Sequence, residues 1–94
     1  SATEAIAAAR REGYCVVGVE LAEHARPLHE LDLTTDTCLV IGHEDRGLSR
    51  EAFEHCDALG FVPQLGKVGS LNVATAASIA IYEARRQRWP ASDA

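Results

Sequence analysis

Residues 38–49 read CLVIGHEDRGLS, and the first five decide what kind of fold the rest must build. Cys38, Leu39, Val40 and Ile41 form an unbroken apolar run that stops at Gly42. A strand wetted on one face alternates apolar and polar residues, whereas a continuous apolar run suits a strand covered on both faces. Residues 14–19, YCVVGV, have the same character, and residues 58–63, ALGFVP, give a third short strand stopped by Pro63. Proline there cannot donate to a ladder.

Helical patterns fall between and around these runs. Thr3 can cap a first helix, Glu4 favours its positive end, and Gly13 sits where a left-handed C-terminal residue belongs. Ser49 can cap a short second helix, with Leu48 and Phe53 placed to form a staple across its first turn. The last helix runs from Leu71 or Asn72 to Arg88, with Ser70 or Asn72 as its cap and Pro90 beyond its end. Strands alternating with helices predict an α/β fold with a parallel sheet. Three strands make a thin sheet, so further strands are expected outside this sequence.

Composition bounds the function. The 94 residues make at most one domain, and a net charge of -5 argues against a general nucleic-acid binder, which needs clustered Lys and Arg. Only residues 83–89, EARRQRW, are locally basic. No apolar run reaches the ~20 residues of a membrane helix, and no signal-peptide pattern is present. The sequence opens on Ser1 and not Met, which marks it as a processed product or a piece of a longer protein. Three cysteines cannot all pair; Cys15 and Cys38 lie in apolar runs, which favours reduced, buried thiols and a cytoplasmic setting.

Two glycine-bearing polar loops, residues 42–47 and 63–72, follow the carboxyl ends of strands, the edge where open α/β sheets bind ligands. Neither fits a common phosphate motif. Gly42 and Gly47 do not make G-x-G-x-x-G, and Val68 stands where a Walker motif has Ser or Thr after its lysine. His24, His29, His43 and His55 show no metal-ligand spacing with the cysteines, so no metal is expected. Nothing marks a nucleophile elbow for a Cys/His hydrolase. Glu44, directly after Gly42, either pairs with Arg46 as a surface ion pair or holds a neighbouring loop. The last helix begins unusually thin, with Ala74, Ala76, Ala77, Ser78 and Ala80 in its first turns. Val73, Ala76, Ala77, Ala80 and Ala84 share one face suited to close packing, while Ile81, Tyr82 and Trp89 lie partly off it.

Together these residues resemble the SpoU (TrmH-like) 2′-O-ribose RNA methyltransferases of the SPOUT superfamily. The family's second motif corresponds to Leu39–Glu44 followed by Gly47-Leu48-Ser49, and its third to Val62-Pro63, Gly66 to Gly69, Ser70-Leu71-Asn72, Tyr82-Glu83 and Arg86-Gln87. The resemblance implies an α/β knot: a parallel sheet whose C-terminal part forms a trefoil knot, with small residues easing the passage of the last helix. It implies S-adenosylmethionine as cofactor, held at Gly42, Val62 and Leu71, and active-site roles for Glu44, Ser70 and Asn72. It further implies tRNA or rRNA as substrate and a homodimer, with Arg46, Lys67, Arg85, Arg86 and Arg88 as candidate phosphate contacts. The family's first motif, an Asn-x-Gly segment followed by an arginine, has no counterpart among residues 1–94. The chain is therefore expected to be the C-terminal part of one methyltransferase domain, inactive alone. The alternative is a non-catalytic cofactor-binding or dimerisation module that lacks the first motif.

Overall fold

A computed structural model describes residues 1–43, 46–64 and 72–90. The chain runs α1 (Ala2–Arg11), β1 (Cys15–Val19), β2 (Arg26–Pro27), a 3₁₀ turn (Leu28–Glu30), β3 (Thr37–Ile41), α2 (Arg50–His55), β4 (Ala58–Phe61) and α3 (Val73–Arg88). The four strands form one sheet in the order β2-β4-β1-β3, and every pairing is parallel. The expected α/β class and three expected strands are present. The fourth, β2, is a two-residue edge strand beside Gly60 and Phe61. Its Pro27 gave no strand signal, and proline is tolerated only at such an edge.

The continuous apolar run of β1 is explained by helices on both faces. Val16 is fully buried with Ile6 of α1 and Ala52 of α2, and Cys38 and Val40 pack on that side. Val17 and Val19 point the other way, into a cluster with Leu28, Leu33 and Ala80, flanked by Leu39, Ile41 and Ala84. Each fully buried aliphatic side chain of this kind contributes roughly 1.5–3 kcal/mol. The connector between β1 and β3, which reads as polar, supplies Leu28 at 2% exposure and Leu33 at 0%. It is as much core as link.

Local signals set the helix ends. Ser1, not Thr3, caps α1 by accepting from the Glu4 N–H, and Gly13 takes the left-handed φ of 89° after the helix. Thr3 instead donates to Glu51 of α2 at 3.2 Å. Ser49 caps α2 through the Ala52 N–H. Asp57 then ties β4 to β1, its carboxylate accepting from the Val16 N–H at 2.8 Å while its own N–H donates to the Val16 carbonyl at 2.7 Å.

The thin face of α3 lies against the sheet: Val73, Ala76, Ala77 and Ala84 are half-buried and Ala80 is fully buried. A side-chain clamp holds its far end. Gln87 accepts from the Leu33 N–H at 2.8 Å and donates to the Leu31 carbonyl at 3.1 Å and to Glu83 at 2.7 Å. Arg86 grips Glu83 through two hydrogen bonds of 2.8 Å. Hydrogen bonding from Arg86, reinforced by Gln87 and the Arg86 charge against an opposing desolvation, holds the Glu83 carboxyl at about 2, below its ordinary 4.5.

A carboxyl depressed in the folded state adds stability above its unfolded value and loses it as pH falls through the folded one. The contribution of Glu83 is therefore complete above about pH 5 and disappears between about pH 5 and 2. Glu83→Gln should unfold at a lower urea midpoint than wild type at pH 7, with the gap narrowing as titrations are repeated down to pH 3. An equal gap at both pH values would contradict this assignment.

Candidate cofactor cleft

The carboxyl ends of β1, β3 and β4 meet the start of α3 around a cleft of about 330 Å³. Its size is at the low end for small-molecule pockets. Val19, Ile41, Phe61, Val62 and Ala76 give it apolar walls, and Glu20, His43, Arg46 and Gln64 add polar groups. His43, Arg46 and Gln64 are exposed, whereas Glu20 is half-buried.

Of the six residues singled out in the sequence, Gly42 and Val62 line this cleft, although they lie on different strands' ends. Asn72 stands immediately before the cleft-lining Val73 and caps α3, its side-chain oxygen accepting from the Ala74 N–H at 2.9 Å and the Thr75 N–H at 3.3 Å. Between the two caps expected for this helix, Asn72 fills the position. Glu44, Ser70 and Leu71 lie outside the described residues, and with Glu44 the expected pair to Arg46. Lys67 does too.

Gly42 has a second duty that the motif alone did not reveal. A Cβ built there would sit 2.4 Å from the Gly47 carbonyl carbon and 2.6 Å from the Leu48 nitrogen. The loop folds back directly over it, closed by reciprocal backbone bonds between His43 and Gly47 of 2.9 and 2.8 Å. At Gly42 and Gly47 the cleft wall is consequently bare backbone. Apolar walls beside such backbone suit a neutral heteroaromatic ring, which needs a slot and a few donors and acceptors. That combination of apolar side chains and closely packed backbone fits the adenosine part of S-adenosylmethionine.

Other chemistries find less support. Burial, then the charges of Asp57 and Asp32, push the Cys15 thiol up; burial, then Asp57 and Cys38, do the same for Cys56. Raised thiols are poor nucleophiles. Among the described residues, no three His, Cys, Asp or Glu side chains stand close enough to hold a metal. No described helix is long and apolar enough to cross a membrane. Glu20 is a cleft residue that motif reading missed; the available signal was position, because it directly follows β1 at its carboxyl end.

Residues 1–82 match the model of the SpoU rRNA Methylase family. The chain belongs to that family. It is 35% identical over 85 residues to a tRNA (guanosine(18)-2′-O)-methyltransferase of Escherichia coli, covering 90% of this chain and 37% of that protein. It is 42% identical over 81 residues to the 23S rRNA (guanosine-2′-O-)-methyltransferase RlmB of Pseudomonas aeruginosa, covering 86% of this chain and 32% of the relative. The chain thus spans well under half the length of these curated relatives. Its four-stranded parallel α/β fold matches SpoU structures. An A. aeolicus TrmH/SpoU tRNA modifying enzyme aligns with a TM-score of 0.84 at 34% identity, over 94% of this chain and 45% of that one. An AdoMet-bound rRNA methyltransferase from Sinorhizobium meliloti aligns with a TM-score of 0.82 at 33% identity, over 94% of this chain and 34% of that one.

The close approach at Gly42 gives a direct test. Gly42→Ala drives a methyl group into the Gly47–Leu48 backbone, and should destabilise the fold by about 1–3 kcal/mol. The urea midpoint should fall with an unchanged slope; a midpoint within error of wild type would mean the loop is free to lift away.

Proposed function

We propose that this chain is the cofactor-binding, C-terminal part of a 2′-O-ribose methyltransferase acting on tRNA or rRNA in the cytoplasm. In this reading residues 1–94 belong to one domain, the segment around α3 forms a trefoil knot, and the first motif lies upstream. The half-exposed β3, at the sheet edge, offers its open side to further strands. The observation that carries the reading is the cleft itself: Gly42 and Val62, from the second and third SpoU motifs, line it together. The AdoMet-bound relative supports the choice of cofactor.

When bound, S-adenosylmethionine supplies an electrophilic methyl group for a ribose 2′-hydroxyl. Gly42, Val62 and Leu71 hold the adenosine part, chiefly through backbone groups beside an apolar wall. Glu44, Ser70 and Asn72 hold and orient the groups of the first motif, Asn72 while fixing the start of α3. Arg46 is exposed at the cleft, which supports a role for it in meeting an RNA phosphate. Isothermal titration should show S-adenosylmethionine or its demethylated product binding the chain. Leu71→Arg should abolish that binding, and equal affinity in both forms would overturn the assignment. Without the first motif, the isolated chain should transfer no methyl group.

The reading includes a homodimer in which α3 helps build the interface. Ile81 and Tyr82 of that helix and Trp89 at its C-terminal cap are 57%, 59% and 46% exposed, and Tyr82 and Trp89 stack edge to face at 5.5 Å. Such aromatic pairs are typical interface anchors, and two-fold pairs are the commonest assemblies. Sedimentation of the intact protein should report a dimer that Trp89→Ala weakens. A monomer at high micromolar concentration would refute the interface.

A further inference from the structure

Glu20 is the first residue after β1, and its backbone N–H continues the ladder by donating to the Gly60 carbonyl at 2.9 Å. Its side chain crosses to a different loop. The carboxylate accepts from the Leu48 N–H at 2.7 Å, twenty-eight residues away in sequence. It also lies directly beneath Gly47, where a built Cβ would fall 1.8 Å from Glu20 Oε1. Gly47 has a φ of 67°, so a side chain there is excluded twice, by backbone conformation and by this carboxylate. Gly47 and Leu48 are the same backbone groups that close over Gly42. Glu20 is half-buried within the cleft lining, so an unmatched carboxylate there would be unfavourable.

We propose that Glu20 is a positioning residue: by holding the Leu48 N–H it sets the backbone of Gly47 and Leu48 over Gly42, the wall against which the cofactor is bound. The inference rests on the reading of the cleft as the S-adenosylmethionine site. What matters is the reach of an acceptor oxygen, not its charge. Glutamine keeps that reach; aspartate keeps the charge but is shorter by one methylene and falls short of the Leu48 nitrogen.

The test compares Glu20→Gln with Glu20→Asp in the full chain, by titration with S-adenosylmethionine and by hydrogen exchange at the Leu48 amide without ligand. Glu20→Gln should keep wild-type affinity and Leu48 protection. Glu20→Asp should exchange faster at Leu48 and bind about tenfold more weakly, the scale of one hydrogen bond to a charged group. The reverse pattern, with Asp retained and Gln impaired, would mean a charge contact with the ligand and would overturn the proposal, as would unchanged exchange in both variants. If wild type itself fails to bind S-adenosylmethionine, the reading of the cleft fails, while the exchange comparison still decides whether Glu20 holds the wall.

Discussion

The structure depends on the burial of β1 from Val16 to Val19. Val16 and Val17 are successive residues with 0% and 1% exposure, one facing α1 and α2 and the other facing α3. A parallel central strand exposes no face, so the chain must place helices on both sides of it. Parallel pairing then brings the carboxyl ends of β1, β3 and β4 to one edge, and with them Glu20, Gly42 and Val62. The cleft is a consequence of that topology before any functional residue is chosen.

At this edge the backbone is packed as tightly as the side chains in the core. Gly42 admits the Gly47–Leu48 backbone at a distance no Cβ allows, and Gly47 in turn admits the Glu20 carboxylate. Two glycines that look like loop punctuation are therefore steric requirements of one compact wall. Leu48 links this wall to the core: its side chain packs with Ile6, Val16 and Ala52 while its N–H is held from the cleft side.

The same economy of bulk governs α3. Ala80 has no exposed surface, and Ala76 forms part of the cleft wall, so larger residues would lift the helix from the sheet. At the opposite end polar bonding replaces close packing. Gln87 joins the helix to the backbone at Leu31 and Leu33, and Glu83 and Arg86 complete the clamp. The Tyr-Glu and Arg-Gln pairs of the third motif thus include a fastening of the helix to the connector that supplies Leu28 and Leu33 to the core. This clamp gives the polar end of α3 a folding role.

By itself the sequence determined what local chemistry controls. Continuous apolar runs specified strands at Cys15–Val19, Thr37–Ile41 and Ala58–Phe61, of which β1 is covered as expected while β3 is half-buried at the sheet edge and β4 is buried only at Gly60. Capping oxygens specified helix starts at Ser49 and Asn72. The two motif segments supplied Gly42 and Val62, which line one cleft. Tertiary structure decided what depends on residues far apart in the chain: that Ser1 caps α1 while Thr3 turns to Glu51, that Leu33 of a polar-looking connector is core, and that β2 forms at all. It alone decided the reach of Glu20 to Leu48 and of Gln87 to Leu33. Periodicity and capping act within a few residues and leave a local signature, whereas a hydrogen bond across the fold has none until the sheet has brought its two ends together.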